Sequence, residues 1–240
     1  VQELTQDRGA APVLAFSTPL LLVGGGSVDV GLLQALAQRG MAVVGVDSGA
    51  DTVRAAGIMP DAIVGDLDSL ADPTSWPASV PVLGVAEQQS IDFEKALYAT
   101  SAPVTLALGM TGGRFDHTLA ALDAIIRHAH GRAIIVVDEA DVALAVSGDV
   151  KFAPGQGARV SVHPLQPVRF ARSQGLRWAL DGLTLAAGVR TGTSNLATSD
   201  VIAIEPGPGE AGLYLLILGR EHLDGLIALA LARAGAAPGP

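Results

Sequence analysis

"LLLVGGGSVDVGLLQALAQRGMAVVGVD", residues 20–47, is the stretch that decides the fold. A short apolar run ends in Gly24, Gly25 and Gly26. Val28, Leu32, Ala35 and Leu36 then recur at helical spacing, and a second β-rich run, "MAVVGV", ends at Asp47. Apolar run, glycine turn, amphipathic helix and apolar run form a strand–helix–strand unit, and such units stack into a parallel sheet covered by helices. The alternation continues along the chain. "AIVG" (62–65) stops at Asp66, "PVTLALG" (103–109) leads into a helix with Leu119, Leu122, Ile126 and Ala129 on one face, and "RAIIVVD" (132–138) closes the series.

Beyond about residue 140 the helical period stops. "ARVSV", "LTLAA", "VIAIE" and "LYLLIL" lie between Gly and Pro turns, the pattern of a small all-β domain. "EHLDGLIALALARAG" reads as a terminal helix and "APGP" (237–240) as a flexible end. The expected architecture is α/β: an N-terminal parallel-sheet three-layer domain over 18–148, a C-terminal all-β sandwich domain over 149–220, and a C-terminal helix with its flexible end over 221–240.

The bulk numbers narrow the function. With 49% hydrophobic and 16% charged residues in 240, the chain has the makings of compact cores. A formal net charge of -9 repels polyphosphate, so nucleic acid is not an expected partner, and a nucleotide binds only where basic groups or a divalent cation reverse the local sign. The absence of cysteine excludes disulfides, thiolate metal sites and a cysteine nucleophile. The longest apolar runs, 213–218 and 226–232, fall short of the roughly 20 residues that span a bilayer. "PVLAFSTPLLLVGGG" has no cationic leader. A soluble, cytoplasmic chain without a membrane partner is the expectation.

Ligands of open α/β sheets gather at the carboxyl ends of strands, and here those ends are acidic: Asp47, Asp66 and Asp68. If "GDLDS" is extended, Asp66 and Asp68 point to one side and can share a hard cation; a solvated acidic turn is the plainer reading. In "EQQSIDFEKAL", Ser90 reads as an N-cap, Phe93, Ala96, Leu97 and Thr100 as the helix face, and Asp92 as a first-turn carboxylate that the helix dipole favours. Lys95 pairs with Asp92 or reaches toward phosphate. "GMTGGRFDH" (109–117) joins strand to helix through Gly109, Gly112 and Gly113 and brings Arg114; backbone N–H groups, a helix N-terminus and a guanidinium fork together suit phosphate, although the GK[ST] ending of a P-loop is missing. His117 serves capping or ring packing as readily as catalysis. His128 and His130 sit two apart on a helix and make a poor metal pair, while His163 and His222 read as surface or packing residues. Trp178 offers an aromatic face for a flat cation, though a core position suits it better.

In this order, "DSGAD", "GDLDS", "EQQSIDFEKAL", "GMTGGRFDH" and "GTSN" resemble the thiamine pyrophosphokinase family over about residues 20–218. The resemblance implies transfer of pyrophosphate from ATP to the thiamine hydroxyl, giving thiamine diphosphate and AMP. It also implies Mg2+ and a homodimer with active sites where the subunits meet. Residue by residue, it implies Asp66, Asp68 and Asp92 as the magnesium group, with Asp92 the first choice to orient or deprotonate the hydroxyl. Asp47 and Gln88 would line the cleft; Gly112, Gly113, Arg114, Asp116 and His117, with Gly109 and Lys95, would hold nucleotide; Ser194, Asn195 and Trp178 would approach thiamine. The chain departs from the family pattern at Ile91, where a threonine is usual, and at Ser48, Asp51 and Leu196. Rival readings are a pyrophosphokinase for a hydroxymethylpterin-like alcohol and a nucleotide-binding sensor without catalysis.

Overall fold

Four-residue runs such as "LLLV" and "TLAL" leave no polar face for water, so they must be covered on both sides. In the computed structural model, which describes residues 2–3 and 12–236, they are the central parallel strands of the first of two compact units, Val1–Ala124 and Ile125–Pro240.

The first unit contains β1 (Gln2–Glu3), β2 (Leu14–Ala15), β3 (Leu20–Val23), α1 (Val30–Gln38), β4 (Ala42–Val46), α2 (Gly49–Ala55), β5 (Ala62–Gly65), β6 (Val82–Gly84), α3 (Asp92–Ala99), β7 (Thr100–Ser101) and β8 (Thr105–Leu108). Strands lie in the order β1-β6-β5-β4-β3-β8, all neighbours parallel. Every residue of β3, β4, β5 and β8 is buried. The chain runs outward from β3 through β4, β5 and β6, then returns to the other side of β3 for β8. The turns after β3 and β8 therefore flank a topological switch point, where ligands of open sheets collect.

Several local expectations shift. Asp29 caps α1 by accepting from Leu32 N at 3.0 Å, so Val28 precedes the helix and the buried stripe is Leu33 and Leu36, with Ala35 exposed. In the helix after β8, α4 (Phe115–His128), the buried residues include Ala121, Ala124 and Ile125, while Leu119 is exposed. In both helices apolar residues outnumber those needed for one face, so composition left the phase open. Trp76 is the core tryptophan, packed with Ala50, Ile63, Leu70, Val80 and Val82, with the Arg54 guanidinium 4.3 Å from its ring centroid.

The second unit is antiparallel. It contains β9 (Ile134–Val137), β10 (Asp141–Ser147), β11 (Val150–Phe152), β12 (Arg159–Pro164), β13 (Val168–Gln174), β14 (Thr184–Leu185), β15 (Gly192–Leu196), β16 (Ile202–Pro206), β17 (Leu213–Gly219) and α5 (Leu223–Ala236). One set of strands runs β9-β10-β17-β12-β15; the other runs β11-β16-β13-β14. Phe170 of β13 and Tyr214 of β17, both fully buried, meet edge to face at 5.4 Å and join the two sheets. The Tyr214 hydroxyl escapes the cost of burial by donating to Gly148 O at 2.9 Å. The chain is thus α/β with a C-terminal β domain. The flexible end expected at 237–240 lies outside the described residues.

Candidate active site

The two glycine turns at the switch point hold each other through backbone. Gly24 N donates to Leu108 O, Gly26 N to Gly109 O, both at 2.8 Å, and Ser27 N to Thr111 O at 3.3 Å. Gly109 has φ +68, and a Cβ there would sit 2.6 Å from Gly24 O, so only glycine fits. The expected phosphate cradle therefore has a structural duty as well: its first glycine lets the loops approach.

These loops form one rim of a cleft of about 640 Å³. Gly24, Gly25, Gly26, Gly109, Gly113, Arg114 and His117 line that side; Asp47, Asp66, Asp68, Gln88 and Asp92 line the other. Gly112 and Asp116 are not among the lining residues. Arg114 is largely exposed, and its fork is engaged by Asp116, with Nε to Oδ1 at 3.1 Å and Nη2 to Oδ2 at 2.6 Å. Its hydrogen bonds to Arg114 hold the Asp116 carboxyl below the usual range.

The acidic side differs from the extended picture. Leu67 has φ +66, so the segment is a left-handed turn rather than a strand, and Asp68 N donates to Asp66 Oδ1 at 3.3 Å. The turn still brings Asp66 and Asp68 together, and Ser69 Oγ steadies Asp68 at 2.9 Å. Asp47, also with positive φ (+48), completes the group: one carboxylate oxygen from each of Asp47, Asp66 and Asp68 lies within 4.8 Å of the other two. Asp47 is 7% exposed and its Oδ1 has no hydrogen-bond partner. Burial, then the charges of Asp92, Asp66 and Asp68, push its carboxyl up from the usual range against the backbone hydrogen bond from Ser48. A buried, unpartnered carboxylate oxygen beside two others is a donor set that fits a hard divalent cation.

Asp92 stands differently from the expected triad. Its Oδ1 accepts from Asp66 N and from Lys95 Nζ, each at 3.0 Å. Lys95 Nζ also reaches Asp66 Oδ2 at 3.0 Å, and the residue is 1% exposed, so the lysine is an internal ion pair and does not reach into the cleft. Burial works against the charged forms, yet the mutual contacts win: the Asp66 carboxyl is held below its usual value and the Lys95 ammonium above. Gln88 Nε2 approaches Asp66 Oδ2 at 3.4 Å.

Ser90 is not the N-cap. Ile91 occupies that position and makes no side-chain cap bond. Ser90 Oγ instead donates to Glu87 Oε1, while Glu87 Oε2 accepts from Gln89 N at 2.6 Å and Ser90 N at 3.2 Å. Tyr98 Oη donates to the same carboxylate at 3.3 Å, and burial together with the Glu87 charge pushes the phenol up to about 12. Glu87 thus ties the loop that carries Gln88, a role reasoning from the sequence missed. The only signal was an acidic residue three before a serine.

Ser194, Asn195 and Trp178 belong to the second unit. Trp178 is 56% exposed rather than core, with the Arg177 guanidinium 5.2 Å from its ring centroid. The Asn195 side chain is buried and spent on the backbone of Trp178, accepting from its N at 3.1 Å and donating to its O at 2.7 Å. Asn195 therefore presents the tryptophan. Ser194 is exposed, with φ +58.

Fold and cleft together define an α/β protein with an acidic, glycine-rimmed site at the carboxyl ends of its parallel strands. Residues 33–137 match the family model described as Thiamin pyrophosphokinase, catalytic domain. A rice (Oryza sativa subsp. japonica) protein named Thiamine pyrophosphokinase 1 is 26% identical over 163 residues, covering 60% of this chain; the chain spans only 62% of that relative's length. Two solved structures share the fold. Thiamin pyrophosphokinase from Geobacillus thermodenitrificans has a TM-score of 0.68 and 24% identity over 84% of this chain and 97% of that one. The Candida albicans enzyme has a TM-score of 0.69 and 14% identity over 90% and 95%. Over residues 33–137 the chain is thus similar to the catalytic domain of thiamine pyrophosphokinases.

Proposed function

We propose that this chain is an ATP-dependent thiamine diphosphokinase, and the observation that carries the reading is the cleft in which three mutually close carboxylates face a glycine-rich, arginine-bearing loop. Asp47, Asp66 and Asp68 would hold Mg2+, which when bound neutralises polyphosphate charge and leaves the β-phosphorus open to attack. This differs from the set expected from the sequence, since Asp92 Oδ1 is already shared by Lys95 and Asp66 N. Asp92 instead receives the proton of the thiamine hydroxyl. The hydroxyl oxygen bonds to the β-phosphorus as the bond from that phosphorus to the α–β bridging oxygen breaks, and AMP leaves.

Gly109, Gly113, Arg114 and His117 would meet the nucleotide, with Gly112 and Asp116 shaping the loop; Gln88 would contact thiamine. Ser194 and the ring of Trp178, held by Asn195, supply a second substrate surface. Our reading keeps 18–148 as the nucleotide- and magnesium-handling domain, 149–220 as the thiamine-handling domain and 221–240 as the C-terminal helix and end. It includes a homodimer and a cytoplasmic setting; no helix among the described residues is long and apolar enough to cross a membrane.

Chromatography of a reaction containing ATP, thiamine and Mg2+ tests the reading. AMP and thiamine diphosphate are the expected first products; ADP with thiamine monophosphate would overturn it. Arg114→Ala should raise the requirement for ATP with the unfolding temperature unchanged, because the side chain is largely exposed and supports no core contact. Steady-state kinetics in ATP provide the check.

A further inference from the structure

Gln88, Gln89, Ser90, Ile91 and Asp92 are consecutive lining residues of the cleft, and Glu87, just before them, is not among them. An ionised carboxylate offers about four lone-pair sites. Those of Glu87 are filled: Oε1 accepts from Ser90 Oγ and from Tyr98 Oη, and Oε2 from Gln89 N and Ser90 N. Burial opposes the charge, yet the hydrogen bonds win and hold the carboxyl below its usual range, so Glu87 is ionised at neutral pH. Saturated in this way, it has no lone pair left for a cation or a substrate, unlike Asp47 with its unpartnered Oδ1.

The four donors show what the carboxylate does instead. Ile91, at the N-cap of α3, makes no side-chain cap bond, so the usual device that fixes how a chain enters a helix is missing. Glu87 supplies a substitute one turn earlier. Its Oε2 takes the amides two and three positions on, as a capping side chain does. Tyr98, in the last turn of α3, is 6% exposed, and a helical side chain leans back toward the N-terminus, which carries the phenol to Oε1. The loop is thereby strapped to a helix whose residues 93–99 are all buried.

We propose that the Glu87–Tyr98 strap sets the affinity for the acceptor alcohol, with both side chains acting as positioning residues that hold Gln88 and the wall at 89–91 without touching substrate. The proposal rests on the reading of the cleft as a diphosphokinase site and deepens it. The glycine turns that would meet ATP lie on the other rim and are held by their own backbone bonds, Gly24 N to Leu108 O and Gly26 N to Gly109 O. Loosening the strap therefore acts on one substrate and spares the other. General damage to the fold would not discriminate between them.

Steady-state kinetics of the full chain, with thiamine and ATP varied separately, give the test. Glu87→Ala should raise KM for thiamine about tenfold or more, since it removes bonds to a charged acceptor, and leave KM for ATP within about twofold. Tyr98→Phe keeps the buried ring and should act in the same direction but less strongly. The double variant should be no worse than Glu87→Ala, because both changes break one strap. Glu87→Gln, which keeps an acceptor oxygen for the two amides, should recover part of the loss. Without substrate, amide hydrogen exchange at Gln89 and Ser90 should be faster in Glu87→Ala than in the parent. An unchanged KM for thiamine, a parallel rise in both KM values, or unchanged exchange would overturn the proposal. Should Glu87→Ala not fold, as circular dichroism would reveal, Tyr98→Phe decides by the same two readouts. A parent that makes no thiamine diphosphate would sink the functional reading, and the acceptor role with it, while the exchange measurement would still decide whether the strap exists.

Discussion

Asp68→Asn should lower the rate of thiamine diphosphate formation on the order of a thousandfold while leaving the unfolding temperature nearly unchanged. A bound divalent cation supplies several kcal/mol to phosphoryl-type transfer, and each ~1.4 kcal/mol is a factor of ten in rate. Asp68 touches little besides Ser69 and the turn, so its charge is removed at small structural cost. Asp66→Asn should lose as much activity and be less stable as well, because it takes one of two carboxylates from Lys95, a side chain with 1% exposure. Breaking a buried pair from one side costs about 3–5 kcal/mol when nothing replaces the partner, and Asp92 remains to soften the loss. The double variant Asp66→Asn/Asp68→Asn should be scarcely slower than either single one, since groups that hold one ion fail together. Steady-state kinetics with thermal melts decide the matter: normal turnover in Asp68→Asn, or losses that multiply in the double variant, would remove the shared cation.

Gly49→Ala should destabilise the fold by about 3 kcal/mol or more, which for a chain of this size lowers the unfolding temperature by roughly 6–12 °C. Gly49 opens α2 directly beneath the end of β3, and a Cβ there would lie 1.9 Å from Val23 O and 2.6 Å from Val23 C. Backbone cannot rotate away as a side-chain tip can. Relief would require β3 or α2 to move, and β3 is hydrogen-bonded on both sides, with Leu20 opposite Ala42 and Thr105. Gly131→Ala is the control: its added methyl meets nothing within 4 Å and should leave the melt in place. Equal melting of the two variants would contradict the packing of α2 on β3.

The central parallel strands β3, β4 and β5 were legible because each is a short, wholly apolar run that stops at a glycine or an aspartate, a pattern a helix does not produce; the short β1, β2, β6 and β7 carry no such signal. The helix phases were less so. Leu32 and Ala35 satisfy the period of α1 as well as Leu33 and Leu36 do, and only the Asp29 cap, set by the turn after β3, chose between them. For Trp178 the sequence favoured a core position; contact with Ala50, Ile63 and Val82 makes Trp76 the core tryptophan instead and leaves Trp178 exposed.

The sequence by itself determined the order of elements, the acidic strand ends and the glycine-rich turn with its arginine, because strand periodicity, turn residues and charge are local properties that need no distant neighbour. Which carboxylates share a centre was decided only by the tertiary structure. Asp47, Asp66 and Asp92 end or open elements that are far apart in the chain, and the parallel order of β4 and β5 beside α3 brings them within reach of one another. Lys95 pairs with both Asp66 and Asp92, while one oxygen each of Asp47, Asp66 and Asp68 come close together. A buried ammonium and a left-handed turn at Leu67 are consequences of packing, where the cost of burying charge and the reach of backbone hydrogen bonds are settled together, and no spacing in the sequence announces them.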